Sequence, residues 1–259
     1  MPELPDLQAF KHNLEKKLLH KKLTTLTVKN AKKLHTTEKA LKEALEGQPL
    51  DHIQRVGKEL HFVFKNGHVL GMHLMLHGKL YFFDKENEQK YTIVELLFTG
   101  GDGLVLTDFQ GAANIFLDPE PKTAPDALSK EFNESYLKEQ LAKKKINIKK
   151  YLLDQHNVLG IGNAYADDIL WDAKISPFSI CNKIPDASIK ALLKSIKKIL
   201  EGAEKKILKS NPDIINGEVR DFMLVHNAKL TESPDGAPIK KDTGGGRKTY
   251  YTDEQVLFE

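Results

Sequence analysis

Apolar positions along the 259-residue chain recur at two different periods, and the change from one to the other divides it. Leu7, Phe10, Leu14 and Leu18 follow one another at spacings of three and four. This predicts a helix near the N-terminus that buries one stripe, with Pro5 suited to its first turn. Short runs of strand character follow at residues 23–28, 50–56, 59–65, 68–76, 79–84, 91–98, 104–108 and 114–117. Leu60, Phe62 and Phe64 alternate with more polar neighbours, as a half-buried strand requires. In the run 68–76, Leu70, Met72, Leu74 and Leu76 share one face, with His73 and then His77 on the other. Turn signals at Asn66-Gly67 and at 100–103 suit hairpins, so this half reads as an antiparallel sandwich or barrel. The proline-bearing stretch 118–125 reads as a linker. Beyond it the period becomes helical, over residues 133–142, 148–155, 164–173 and a long helix from 186 to about 209. On that last helix Ile189, Leu192, Leu193, Ile196, Leu200, Ala203 and Ile207 lie on one side. Gly236 and Gly244-Gly245-Gly246, between Leu230 and Tyr251, mark a small terminal hairpin. The expected class is α+β.

Composition narrows this picture only a little. A 40% hydrophobic content at this length supports one large core or two medium ones, and two are expected. The formal charge of +3, from 39 basic and 36 acidic residues, points weakly to a polyanion. Clusters at Lys143-Lys144-Lys145 and Lys149-Lys150 are the stronger hint, although solvated helix faces give the same pattern. The single cysteine, Cys181, rules out an intrachain disulfide and any multi-cysteine zinc site. The chain shows neither a basic segment followed by an apolar run nor about 18 uninterrupted apolar residues, so an intracellular protein of the cytoplasm or nucleoid is expected, without membrane contact.

Two stretches carry candidate chemistry. If Met1 is removed from Met1-Pro2-Glu3, Pro2 becomes a free secondary amine just ahead of a helix. The positive end of that helix disfavours a protonated amine, and Glu3 can accept or relay a proton. The second stretch, from Ile148 to Pro177, places a helix, a glycine turn and a second helix in succession. Gly160 and Gly162 allow backbone amides to approach a ligand, Asn163 suits a helix cap, the helix start favours a phosphate, and Lys149 stands across the turn. A capped helical hairpin without ligand would share this pattern.

These residues also carry a resemblance. The N-terminal PELPD, Gly57-Lys58, His73-Leu74 followed by Gly78, Pro125-Asp126-Ala127-Leu128-Ser129, the IKKYLLDQ…GIGNAYADDILW stretch, Arg220-Asp221-Phe222 and the terminal GRKTYY resemble, in order, the formamidopyrimidine-DNA glycosylase and endonuclease VIII family. The resemblance implies a DNA glycosylase with abasic-site lyase activity, acting on damaged DNA as a monomer and without cofactor. It implies an N-terminal β-sandwich over residues 1–118, a linker at 119–130, a helical domain with a helix-two-turns-helix at 131–225, and a β-hairpin finger at 226–259. By matching position, Pro2 would attack the sugar C1′ to form an iminium and Glu3 would shuttle protons. Lys58 would supply positive charge near the nucleophile or cleaved phosphate. Lys149, Gly162, Asn163 and Arg247 would hold the phosphate beside an extruded nucleotide.

The chain departs from the family at three places. The finger has no zinc cysteines, and Glu232, Asp235, Thr252 and Gln255 stand roughly where they would be. A zincless, metal-free finger is expected, held by hairpin pairing and by Ile239, Tyr250 and Tyr251. His73 and His77 suggest a groove rather than a metal site. The methionine, arginine and phenylalanine with which relatives fill the gap left by a flipped base are changed: Met75 or Leu76 could be the wedge, and Gln110 to Ala112 take the other places. The segment before Leu224-Val225 is also short. The expectation is a relaxed glycosylase or mainly an abasic-site lyase. A non-cleaving binder of damaged DNA is the alternative.

Overall fold

The computed structural model describes residues 1–259 apart from Lys33, His35 and Gly245, so the middle of the Gly244-Gly245-Gly246 signal lies outside the described residues. The chain divides into two compact units: residues 1–121 with 207–218, and residues 122–206 with 219–259. The finger and the helical segment thus fall together, while the end of the long helix and the residues after it belong with the first unit.

The first unit opens with α1 (Leu4–Leu18), whose Leu7, Phe10, Leu14 and Leu18 are buried as their spacing predicts. It continues with β1 (Leu23–Val28), α2 (Glu38–Leu45), β2 (Leu50–Val56), β3 (Glu59–Phe64), β4 (Val69–His73), β5 (Lys79–Asp84), β6 (Thr92–Phe98), β7 (Asp102–Thr107) and β8 (Asn114–Leu117). The strands form two four-stranded sheets, ordered β1-β6-β7-β5 and β2-β3-β4-β8, and every pairing is antiparallel. One core joins α1 to inward side chains of both sheets, among them Leu26, Phe62, Leu70, Leu96 and Ile115. The segment 207–218 belongs here because Ile215 enters that core, Asn13 donates to the Ile214 carbonyl at 2.9 Å and Asn216 to that of Leu80 at 2.9 Å.

Three elements differ from the expectation. The helix α2 has no counterpart in the sequence reading: only Leu41 and Leu45 are buried, too shallow a stripe to announce itself, and Thr37 caps it by accepting from Ala40 N at 3.2 Å. Gly103, expected in a turn, lies within β7, where an added Cβ would meet the Phe83 ring at 2.3 Å. The expected strand 68–76 ends at His73, because β4 belongs to one sheet and β5 to the other and the chain must cross between them. Residues 74–77 form a loop closed by Gly78 N donating to Leu74 O at 2.8 Å. Met75 takes a left-handed φ of +54°, so Leu74 is the last core residue and Leu76, expected on the same face, is 59% exposed.

The second unit contains α3 (Glu134–Ala142), α4 (Ile148–Leu153), α5 (Asn163–Asp172), most of α6 (Asp186–Ser210), and the hairpin β9 (Lys240–Asp242) and β10 (Thr249–Tyr251). Asn133 and Asn147 cap α3 and α4 by accepting from Tyr136 N and Lys150 N. On α6, Ile189, Leu192, Ile196, Leu200, Ala203 and Ile207 are buried, as their spacing requires. Among the described residues no helix is long and apolar enough to cross a membrane.

Candidate active site and nucleic-acid interface

In the first unit the head of α1 is locked. Glu3 is buried, its N–H donates to Asp6 Oδ2 at 2.8 Å, and its carbonyl accepts from Leu7 N at 3.1 Å. Pro2, also buried, is therefore fixed immediately ahead of the helix. With Met1 attached, the terminal amine pairs with the Glu218 carboxylate and the Pro2 nitrogen is an amide. Lys58 is half-buried in the turn between β2 and β3, next to Gly57 at φ +59°. Arg55 holds that turn by donating to Gly57 O at 3.1 Å and to Gln8 Oε1 at 3.0 Å. The turn bearing Lys58 is thereby tied to the helix that presents Pro2 and Glu3.

Two loops of the same unit carry the expected wedge positions. Met75 is 37% exposed in the loop 74–77. The second loop is shaped by Asp108, whose buried carboxylate accepts from the N–H groups of Gln110, Ala112 and Ala113 at 2.9, 2.9 and 2.7 Å. Gln110 is exposed at its tip. Phe109, not among the residues expected from the sequence, is 60% exposed with its ring centroid 4.6 Å from that of His77. An aromatic directly after the loop-shaping aspartate was the available signal.

In the second unit the turn from α4 to α5 is organised by Gln155, which donates to Leu153 O and Ile161 O at 3.1 Å each and accepts from Gly160 N at 2.8 Å. Gly160, at φ +99°, needs its glycine, but its amide is spent on Gln155 and not offered to a ligand. Gly162 is the N-cap of α5, so Asn163 is the first helical residue and not the cap. Its Nδ2 donates to Lys248 O at 2.9 Å. Lys149 is placed differently from the expectation of a phosphate-facing ammonium. It is buried, pairs with Asp167 at 2.7 Å, and donates to Lys248 O at 3.1 Å and Thr249 Oγ1 at 2.9 Å. Arg247 is exposed on the loop between β9 and β10. A cavity of about 860 Å³ lies here, with Lys150, His156, Phe178, Arg247 and Thr249 in its walls.

The paired acids of α5 hold the C-terminal segment. Asp168 accepts from the N–H groups of Leu224, Val225 and His226 at 2.7–3.0 Å; burial pushes its carboxyl above the ordinary carboxylate range, against the pull of those three donors. Trp171, Val225 and Tyr250 pack together with Leu224 and Ile239 against them, and Tyr251 meets the Phe178 ring edge-on at 5.1 Å. At the four positions expected to replace zinc ligands, Thr252 N donates to Gln255 Oε1 at 2.9 Å, Asp235 pairs with Lys174 at 2.7 Å, and the backbone of Glu232 forms an isolated antiparallel β-bridge with Pro238. The polar centre of the finger is instead Glu254, which accepts from Trp171, Ser233, Thr252 and Lys174. Among the described residues no group of three or more His, Cys, Asp or Glu is placed to hold a metal ion.

Comparison with known proteins gives a consistent answer. A family model described as the formamidopyrimidine-DNA glycosylase N-terminal domain matches residues 1–115, and one described as the formamidopyrimidine-DNA glycosylase H2TH domain matches residues 123–210. Relatives named formamidopyrimidine-DNA glycosylase include one from Ligilactobacillus salivarius at 31% identity and one from Streptococcus mutans at 30%, each covering 97% of both chains. Among solved structures, Lactococcus lactis Fpg in complex with DNA containing an abasic site shares 27% identity and superposes with a TM-score of 0.87, covering 98% of this chain and 99% of that one. The same enzyme in complex with DNA containing FAPY-dG shares 30% identity with a TM-score of 0.86, over 98% and 99%.

Proposed function

The chain belongs to the formamidopyrimidine-DNA glycosylase family, and from that premise we propose that Pro2, freed by removal of Met1, is the nucleophile of a bifunctional DNA glycosylase and abasic-site lyase acting in base excision repair. The Pro2 nitrogen bonds to C1′ of the damaged nucleotide, the glycosidic bond breaks and the base leaves with its electron pair. Opening of the sugar gives a C1′ iminium, which acidifies the C2′ proton. Loss of that proton expels the 3′ phosphate, and water then releases the enzyme. Glu3 moves the protons at the sugar, and Lys58 supplies positive charge beside it. Gly162 and Asn163 at the start of α5, with Arg247 on the finger, hold the phosphate of the extruded nucleotide. Met75 and Leu76 occupy the space it vacates, with Gln110 at the facing loop. The protein works as a monomer on cellular DNA, in the cytoplasm or nucleoid.

The observation that carries this reading is the head of α1, where Pro2 and Glu3 are buried, Glu3 is held by backbone hydrogen bonds on both sides, and the Lys58 turn is tethered through Arg55 and Gln8. A frayed terminus could not hold an amine within bonding distance of a sugar carbon. Borohydride reduction on a duplex with an abasic site tests it. The wild type forms a covalent adduct, and Pro2→Gly loses all or nearly all of it. An adduct undiminished in Pro2→Gly would refute the assignment. The lesion range follows from the loop 109–112, which carries no cation: excision is relaxed, with abasic sites cleaved best and weak dependence on the opposite base. A strong preference for 8-oxoguanine opposite cytosine would overturn this second part.

A further inference from the structure

One buried carboxylate in the second unit governs three consecutive residues of the finger. Asp167, with no exposed side-chain surface, accepts from Tyr250 N at 2.9 Å, meets His226 Nδ1 at 2.6 Å and pairs with Lys149 Nζ at 2.7 Å. Lys149 passes the restraint on, donating to Lys248 O and Thr249 Oγ1, and Asn163 donates to the same Lys248 carbonyl. Residues 248–250 are therefore fixed directly after Arg247. A buried ammonium spent in this way has little left for a phosphate, and removing either partner strands an uncompensated charge in the interior.

We propose that Asp167 and Lys149 are a positioning pair for Arg247, fixing the start of β10 so that the guanidinium is aimed at DNA, and that Lys149 serves binding through the Lys248 carbonyl instead of through a phosphate of its own. The inference rests on the phosphate-binding role given to Arg247 above. It also assigns Asp167, which has no part in the chemistry, a task whose loss has a sign opposite to simple electrostatics. A neutral residue in place of an acid near DNA ordinarily tightens binding. Here Asp167→Asn loosens it, because the lysine it neutralises and the hairpin that lysine holds both lose their anchor.

The test compares Lys149→Met, Asp167→Asn, Arg247→Gln and the double variant Lys149→Met/Arg247→Gln. Affinity for an abasic-site duplex is measured across a salt series, borohydride trapping at saturating duplex, and amide exchange on the free proteins. Arg247→Gln lowers the slope of log affinity on log salt by about 0.9, as one lost phosphate contact requires. Lys149→Met lowers it by the same amount and the double variant by no more, while Lys149→Arg largely restores it. Asp167→Asn binds about tenfold more weakly, the loss expected for one charge-assisted hydrogen bond to phosphate. In the free protein, β10 amides exchange faster in Lys149→Met and Asp167→Asn but not in Arg247→Gln. A double variant with about twice the slope loss, roughly 1.8 for two phosphates, overturns the proposal, as does an Asp167→Asn protein that binds as tightly as the parent. The exchange measurement needs no DNA, so the two readings fail separately: unchanged β10 exchange refutes the positioning pair, and a wild type that traps no abasic DNA refutes the lyase.

Discussion

Replacing Glu254 by Ala should cost the second unit about 3 kcal/mol, the net worth of a carboxylate with three neutral donors and one lysine. Trp171 Nε1 lies 2.9 Å from it, Ser233 Oγ 2.7 Å, Thr252 Oγ1 3.0 Å and Lys174 Nζ 2.8 Å. A hydrogen bond to a charged group contributes about 1.5–3 kcal/mol when buried. The Glu254 side chain is 20% exposed and that of Lys174 is 41%, so the ion pair sits at the weak end, below about 1 kcal/mol, and water partly replaces the carboxylate in the variant. For a unit of this size, about 3 kcal/mol corresponds to a fall of about 10 °C in Tm. Trp171 is the sole tryptophan and packs in the finger cluster, so its fluorescence reports this unit directly. The sign with pH is also fixed. The Lys174 ammonium, aided by the neutral donors and opposed by burial, holds the Glu254 carboxyl well below the usual carboxylate range. A depressed folded-state pKa contributes stability that is complete above the unfolded value of about 4.3 and is lost as pH falls through the lower folded one. The deficit of the variant is therefore the same at pH 8 and pH 6 and closes only in strong acid. A Glu254→Ala protein melting within about 2 °C of the parent, a difference worth well under 1 kcal/mol, would refute the reasoning.

Further outcomes follow from other parts of the structure. Chelation by EDTA should leave both Tm and abasic-site cleavage unchanged, because hydrogen bonds to Glu254 do the work that metal ligation would do; a drop in either on chelation counts against it. Gly78→Ala places a Cβ 2.2 Å from the Leu74 carbonyl oxygen, and backbone cannot yield as a flexible side chain can, so a loss of about 3 kcal/mol in thermal unfolding is expected together with impaired DNA binding through the loop 74–77. Phe109→Ala should weaken binding to the abasic duplex about tenfold, the scale of one base–aromatic stack, with Tm unchanged because the ring is 60% exposed; unaltered affinity in a titration would remove Phe109 from the interface. Protein retaining Met1, identified by mass spectrometry, should form no borohydride adduct, since its Pro2 nitrogen is an amide.

What the sequence disclosed and what it hid divide along a physical line. The stripe of α1 and the buried side of α6 are periodic, and burial followed the period, whereas β3 buries Glu59 and His61 along with the alternating Leu60, Phe62 and Phe64. The helix α2 offered only two buried leucines, below what a period can show. The end of β4 depended on which sheet β5 would join, a tertiary fact that the strand-like alternation of Leu70, Met72, Leu74 and Leu76 could not carry. Lys149 was read as facing a phosphate because a lysine beside a glycine turn carries no local sign of its partners, which lie on α5 and at the far end of the chain, 99 residues away at Lys248. The finger shows the same limit. Missing cysteines led to the expectation of a zincless hairpin, but of the four residues standing in their places only Thr252 reaches the carboxylate that organises the segment, and Glu254 itself lies between Thr252 and Gln255.

The placement of these restraints keeps the head of α1 independent of the loop 109–112. Glu3 is held by Asp6, and the Lys58 turn by Arg55 and Gln8, all within the first unit and none on the loop 109–112. That loop takes its shape from Asp108, which grips three backbone N–H groups and therefore sets the path of the chain whatever side chains stand at 109, 110 and 112. Substitution there changes the side chains the loop presents at almost no cost to the fold, whereas Asp108→Ala would leave three N–H groups without their acceptor. Under the proposed mechanism, selection on lesion range would act on Phe109 and Gln110 independently of Pro2, and a broadened substrate set is what that reading expects of an intact α1 head beside a loop without a cation.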